Sequence, residues 1–377
     1  MDVLTWVLVC ATALYVGAAA LFFVGLHRFE RGTCTSRPFV TVVVAARDEE
    51  PYIQACLESL VCQTYPADRF EVLVVDDGSQ DRTPETTARI AEKHGHVRAL
   101  AVGDAFPELA AKKRPLSVGI REARGELILT TDADCRVPPT WVTGMVACFE
   151  PEVGVAIGYS EVKPRGSPLT FFERLQALDF LALMSASAGS ANLGIPLAAT
   201  GQNLAYRKAL FDAVGGFGPI GHRPSGDDVL LLQLMRRTGR GRIVFAGGEE
   251  TRVSTWRTES PAGFWRQRRR WASNASCQIR LNPAFAIYLS AVFLVCLIAP
   301  AALITGTAEG GPGLPLACLG GKAIADLAVL WRGARVFGRQ DLLRALPVWE
   351  ILHLPYTALI GILGTLTGFT WKGRRHR

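Results

Sequence analysis

Hydrophobic and polar positions along the chain fall into three regimes. Residues 3–26 are almost wholly apolar and uncharged, long enough for a membrane helix, which takes ~20 residues. From residue 39 the pattern changes to short apolar runs, each ended by a polar cluster and followed by helical periodicity. The run 39–46 (FVTVVVAA) stops at Arg47-Asp48-Glu49-Glu50-Pro51, and apolar positions then recur at Ile53, Cys56, Leu57, Leu60 and Val61, a helical spacing. The run 70–75 (FEVLVV) ends at Asp76-Asp77-Gly78-Ser79, and Pro84 opens a helix reaching about Lys93. Residues 97–102 make a short third run. A helix over 116–123 follows Lys112-Lys113-Arg114, and a fourth run, 126–131, ends in Asp132-Ala133-Asp134. Strands rich in Val, Ile and Leu on both faces, alternating with helices, predict an α/β fold: a mostly parallel sheet covered by helices on both sides.

The pattern then loosens. It predicts a strand within 153–162, a long apolar helix over 168–187, a turn into a strand at 200–207, and a strand at 242–246. Ser225-Gly226-Asp227-Asp228 precedes a periodic helix at 229–235. Residues 264–271 (FWRQRRRW) mix aromatics with cations, as helices at a membrane interface do; a basic anchor for lipid head groups is the plainer reading. Three further apolar stretches occupy 284–305, 314–331 and 346–370, the middle one interrupted by Lys322 and Asp326. Basic His27, Arg28, Arg31 and Arg37 follow the first apolar stretch and place its C-terminal side in the cytoplasm. Asp2 stands where a signal peptide has its basic region, so a retained anchor is expected. Three full C-terminal crossings would put Lys372, Arg374, Arg375 and Arg377 on the wrong side for that rule, which leaves open that one stretch is re-entrant or interfacial. The resulting division is a membrane anchor at 1–27, a catalytic domain at 38–250, an interface region at 251–282, membrane helices at 283–370 and a basic tail at 371–377. The protein is expected to be integral to a bacterial inner membrane, with its catalytic domain cytoplasmic; its oligomeric state is left open.

Composition narrows the partners. The 377 residues carry a net charge of +7, which suits nucleotide diphosphates or acidic lipids. No nucleic-acid module pattern accompanies it, so a nucleic-acid partner is not expected. Nine cysteines lack paired metal spacing, and six histidines form no metal motif, so reduced cysteines and no zinc site are expected. No Walker A sequence is present, which excludes a P-loop site. Asp132 and Asp134, two apart at a strand end, face the same way. Open α/β sheets bind ligands at that edge. Alone, such a pair is most simply a solvated acidic turn; it also suits a hard divalent cation shared with phosphates.

Four segments together resemble the family 2 glycosyltransferases of the GT-A fold, over residues 39 to about 271. Val44-Ala45-Ala46-Arg47-Asp48-Glu49-Glu50 is similar to the family's first-strand motif, with Asp48 in place of the usual Asn. Val75-Asp76-Asp77-Gly78-Ser79-Gln80-Asp81 resembles its V-D-D-G-S-x-D motif, Thr131-Asp132-Ala133-Asp134 its D-x-D, and Gln267-Arg268-Arg269-Arg270-Trp271 the Q-x-x-R-W of its membrane-embedded branch. The resemblance implies a nucleotide-sugar-binding GT-A domain between membrane helices, and inverting transfer of a sugar from a nucleotide sugar, a UDP-sugar, to a membrane lipid. Ala45, Arg47, Glu49, Asp76, Asp77, Lys113 and Asp132 would bind the donor. Asp76 and Asp77 can accept from uracil or ribose, or cap the helix near Pro84. Lys112 and Lys113 would oppose the diphosphate, or else sit in a solvated loop. Asp134 and Asp132 would hold Mg²⁺ or Mn²⁺. Gln267, Arg270 and Trp271 would clamp acceptor and diphosphate. Asp228, with Asp227 beside it, would be the general base; the plainer role is to cap a helix N-terminus. His222 is read as a surface loop residue. The competing functions are a small processive polysaccharide synthase and a non-catalytic membrane scaffold with this fold.

Overall fold

The computed structural model describes residues 3–29, 32–163, 168–256, 258, 260–306 and 311–366, and the backbone of 369–371 and 374–376. Arg31, Lys372 and Arg377 of the expected basic clusters lie outside the described residues. In chain order the elements are α1 (Val3–Gly25), β1 (Val40–Ala46), α2 (Ile53–Val61), β2 (Phe70–Asp76), α3 (Thr83–Lys93), β3 (Val97–Ala101), α4 (Lys113–Glu122), β4 (Leu127–Asp132), α5 (Trp141–Ala147), β5 (Val153–Gly158), β6 (Ser160–Lys163), α6 (Phe171–Ala191), β7 (Leu204–Arg207) and α7 (Lys208–Ala213). They continue with α8 (Val229–Arg237), β8 (Arg242–Ala246), β9 (Val253–Trp256), α9 (Pro261–Ala272), α10 (Ala275–Leu281), α11 (Pro283–Thr305), α12 (Gly313–Val336) and α13 (Leu346–Leu366). These divide into two compact units, one of residues 29–166 and 198–256, the other of 1–28, 167–197 and 257–377. Residues 167–197, which contain α6, thus leave the continuous stretch 38–250 and join the helical unit.

The first unit is a seven-stranded sheet of order β3-β2-β1-β4-β7-β5-β8. β1 runs parallel to β2 and β4, and β2 to β3, while β7 is antiparallel to β4 and β5. This is the mostly parallel sheet the apolar runs predict. Val40, Val42, Val43 and Val44 are wholly buried, because helices cover both faces. One face packs α2 and α5 through Ile53, Leu57, Trp141 and Met145. On the other, α4 comes so close that a Cβ on Gly119 would lie 2.4 Å from a Val43 methyl. The predicted strand within 153–162 is in fact split: β5 stays in the main sheet and β6 leaves it to pair with β9.

Register brings the chemistry together. Ala45 of β1 lies opposite Val75 of β2 and Asp132 of β4, and Ala46 lies opposite Asp76. The polar ends of these strands therefore line one carboxyl edge.

Among the described residues, the second unit holds four helical spans long and apolar enough to cross a membrane: 3–25, 283–305, 313–336 and 340–364. α1 buries a stripe of Leu8, Ala11, Tyr15, Ala19 and Phe22, the three-to-four spacing of a helix packed on one side. At its end a Cβ on Gly25 would fall 1.9 Å from the Gly189 carbonyl oxygen, so glycine is required for α1 and α6 to cross there. Lys322 and Asp326, which interrupt the apolar pattern of the third span, are paired. The Lys322 ammonium, 0% exposed, lies 2.6 Å from Asp326 of α12 and 2.6 Å from Glu350 of α13. Tyr15 of α1 donates to the other Asp326 oxygen. Charge inside an apolar bundle is tolerated when partnered in this way.

Lys322→Met strands two carboxylates in that bundle and is expected to cost about 3–5 kcal/mol, read as a lower thermal midpoint in detergent. Replacing all three groups together (Lys322→Met, Asp326→Leu, Glu350→Gln) is expected to recover most of the loss. A triple variant no more stable than the single one would show that charge is not the cause.

Candidate active site

The carboxyl edge of the sheet collects acidic side chains from four separate segments, those following β1, β2 and β4 and the loop before α8. Asp132 ends β4, and Asp134 follows in the turn. Ligand atoms of Asp132, Asp134 and Cys135 all lie within 4.8 Å of one another. Burial, then the charges of Asp132 and Glu49, push the Asp134 carboxyl up to about 7. The carboxylates crowd each other, and a divalent cation relieves such crowding. Burial and the neighbouring carboxylates hold the Cys135 thiol well above its ordinary range, so it stays protonated. The donor set for a hard cation is the two aspartates, and the residues fit Mg²⁺ or Mn²⁺.

The Asp227-Asp228 pair enters from the loop before α8. Asp228 is the N-cap of α8, its carboxylate accepting from the Val229 backbone N–H and, at 3.0 Å, from that of Gly201. The capping role and a chemical role are therefore not alternatives: the cap is what holds the carboxylate in place. Burial, then Asp227, lifts the Asp228 carboxyl above its ordinary range, against the two backbone N–H groups and Lys112. A raised carboxyl is a stronger base.

Lys112 joins the two acidic pairs. Its ammonium bonds the Asp132 carboxylate and lies 3.5 Å from Asp227. Burial works to lower its pKa, but Asp132, Asp227 and Asp228 outweigh that and hold it above the ordinary lysine range. Lys113, the adjacent residue assigned above to the donor, turns the other way. It is 1% exposed, and its ammonium donates to the carbonyls of Arg223 at 2.7 Å and Ser225 at 2.9 Å. Lys113 thus grips the loop that delivers Asp227 and Asp228, while Lys112 faces the carboxylates. His222 in that loop is exposed.

The remaining residues expected to meet the donor lie at the β1 and β2 ends. Asp76 accepts from Gly78 N, Ser79 N and Ser79 Oγ, so it builds the turn after β2. The helix containing Pro84 has Arg82 as its N-cap and no side-chain cap; Asp81, one residue earlier, accepts from Thr83 N. Asp77 takes a hydrogen bond from Arg47 at 3.2 Å and lies 3.9 Å from Arg114. Glu49 acts electrostatically on Asp134, and half-buried Ala45 sits beside Asp132 in register.

Gly201 was not singled out in the sequence. A Cβ there would lie 3.3 Å from both an Asp227 oxygen and the Lys112 nitrogen. Its only signal is the turn-forming Thr200-Gly201-Gln202-Asn203 before β7.

Gln267, Arg270 and Trp271 lie in the helical unit, on α9. Ser260 caps this helix by accepting from Gly263 N at 3.1 Å, with Pro261 at the first position.

Comparison with known proteins places these features in a family. The model of glycosyl transferase family 21 matches residues 5–358. An N-acetylglucosaminyltransferase of Sinorhizobium fredii is 31% identical over 271 residues, 67% of this chain and 62% of its own. A beta-monoglucosyldiacylglycerol synthase of a Synechocystis species is 29% identical over 241 residues, 62% of this chain and 47% of its own. The chain thus spans less than two thirds of these curated relatives. The solved mannosyltransferase PcManGT from Pyrobaculum calidifontis, in complex with GDP-Man and Mn²⁺, is similar in fold, with a TM-score of 0.61 at 21% identity; the match covers 96% of this chain and 99% of that one.

Two outcomes test the site. In the metal-free protein an Asp134 carboxyl at about 7, above its unfolded value of about 3.9, costs stability above pH 7, and that cost disappears below about pH 4. Asp134→Asn is therefore expected to raise the metal-free thermal midpoint at about pH 8. The wild type should bind Mn²⁺ ~10-fold more weakly per pH unit below about 7, read by calorimetry. Lys113→Met should destabilise by roughly 1.5–3 kcal/mol for each charged bond lost while the folded protein still binds nucleotide, whereas Lys112→Met, which leaves Asp132 and Asp227 unopposed, should lower the midpoint as well and also weaken nucleotide binding. The reverse pattern would exchange their roles.

The family model spans residues 5–358, nearly the whole chain and all of the sheet that carries these aspartates, and the chain belongs to glycosyl transferase family 21.

Proposed function

We propose that the protein is an inverting, metal-dependent glycosyltransferase that moves a sugar from a nucleotide sugar, a UDP-sugar, to a hydroxyl of a membrane lipid. The observation that carries this reading is the meeting of Asp132 and Asp227 on one ammonium, Lys112. It brings the Asp132-Asp134 and Asp227-Asp228 pairs to one side chain, which supports a cation site beside a general base. Bound at Asp132 and Asp134, Mg²⁺ or Mn²⁺ would neutralise charge on the departing nucleoside diphosphate. The chain's own residues do the rest. Arg47, Glu49 and Asp77 line the donor's base and ribose. Lys112 adds positive charge beside the diphosphate. Asp228, held by its two backbone hydrogen bonds, takes the proton from the acceptor hydroxyl as its oxygen attacks the anomeric carbon. A single displacement inverts that carbon. Gln267, Arg270 and Trp271 clamp acceptor and diphosphate.

Several findings support this reading. A relative's name specifies a diacylglycerol-based glycolipid, and the solved neighbour's title specifies a nucleotide sugar with Mn²⁺. Among the described residues, four spans of membrane-crossing length flank the sheet-bearing unit in the sequence, one before it and three after it, which suits an acceptor resident in the bilayer and a cytoplasmic catalytic unit.

The test is transfer of radiolabel from a panel of nucleotide sugars to total bacterial lipid, with Mn²⁺ or EDTA, in detergent. Label should enter the organic phase only with metal. Asp228→Asn should lower kcat by roughly 10²–10⁴-fold while nucleotide still binds. Label accumulating in insoluble polymer would establish a processive synthase instead. Unchanged turnover in Asp228→Asn would remove that residue from the chemistry.

A further inference from the structure

α9 presents the three clamp residues, yet the residue most deeply held in that motif is none of them. Arg268 is 5% exposed and pairs with Asp179 of α6, itself 6% exposed. Two guanidinium nitrogens reach one Asp179 oxygen, Nε at 2.8 Å and Nη2 at 2.6 Å. The third nitrogen, Nη1, donates to the Gln267 side-chain oxygen at 3.2 Å. The guanidinium also lies over the Trp271 ring, 4.2 Å from its centroid, and over Phe264 at 4.6 Å. One cation thus touches two of the three clamp residues and is itself tied to a separate helix.

Stability alone is a poor reason for such a pair, since apolar side chains pack two helices as well or better. What the pair supplies is direction. Arginine has donors only, so the Gln267 amide must turn its oxygen toward Arg268. Its NH₂ group is then the part left to meet a ligand. The Trp271 ring is likewise set by a planar cation across its face.

We propose that Asp179 and Arg268 are positioning residues for sugar transfer. Asp179 fixes the plane of the Arg268 guanidinium, and Arg268 orients Gln267 as a hydrogen-bond donor and Trp271 as a flat wall. The ligand group facing Gln267 is therefore an acceptor oxygen, of a phosphate or a sugar hydroxyl. This rests on the reading of Gln267 and Trp271 as clamp residues.

The experiment uses the full-length protein in detergent, with kcat, KM and thermal midpoint measured for each variant. Gln267→Glu keeps the shape and the bond to Arg268 but removes the donors. It should be as impaired as Gln267→Ala, with an unchanged midpoint. Asp179→Asn should lower kcat/KM by ~10–100-fold, the scale of a misplaced group. In a Gln267→Ala background the same change should cost much less, because its target is gone. Arg268→Lys, which keeps the charge but loses the fork, should not restore activity. Wild-type activity in Gln267→Glu would overturn the donor assignment. Full additivity of Asp179→Asn with Gln267→Ala, or a lower midpoint with kcat and KM unchanged, would make the pair a structural staple and overturn the proposal. If Gln267→Ala and Trp271→Ala both leave kinetics unaltered, the clamp reading fails and the proposal falls with it.

Discussion

The structure around the sheet's carboxyl edge depends on managing like charge. Asp132, Asp134, Asp227 and Asp228 come from two distant segments and would repel each other if simply brought together. Lys112 offsets part of that repulsion by bonding Asp132 and approaching Asp227. Backbone N–H groups of Val229 and Gly201 offset another part at Asp228. What remains uncompensated is concentrated at Asp134, the position best suited to a cation. The loop before α8, the glycine at 201 and the N-terminal turn of α4 all serve this arrangement. Lys113 contributes from beneath by fastening the loop carbonyls.

Much of this was legible in the chain. The strands β1 to β4 could be read because buried parallel strands are apolar on both faces and end abruptly in polar clusters. The acidic pairs could be read because their spacing is local. The division of labour between Lys112 and Lys113 was not, since adjacent residues in a helix's first turn point roughly 100° apart and only the packing of α4 decides which one meets the sheet edge. Asp76 reads as a ligand contact from its motif; what the motif does not show is that its oxygens also accept three hydrogen bonds within the turn after β2. Gly201 was hidden for a different reason: what matters there is the absence of a side chain beside Asp227 and Lys112, and absence leaves no pattern. The placement of α6 was equally hidden. Its sequence lies between strands of the sheet-bearing unit, but its small and polar residues match partners on α1, α9 and α12, far away in the chain.

The helical unit solves its own polarity problems by pairing across helices. Arg268 with Asp179, and Lys322 with Asp326 and Glu350, are buried ions that each satisfy more than one neighbour. The first pair lies in a motif with chemical candidates on either side and constrains their orientation. The second lies near the middle of the 24-residue α12 and has no such neighbours in the motif.

That second network has a consequence for biogenesis. A nascent α12 entering a bilayer alone would carry Lys322 and Asp326 near its centre, each costing about 2.5–3.5 kcal/mol on insertion scales. Their mutual i,i+4 contact relieves only part of this. Tyr15 has already been synthesised when α12 emerges from the ribosome, so α1 can receive it. Glu350 has not: it lies 28 residues downstream. The third span therefore has to be retained against the first until the fourth arrives, and the C-terminal helices enter as a cooperative group.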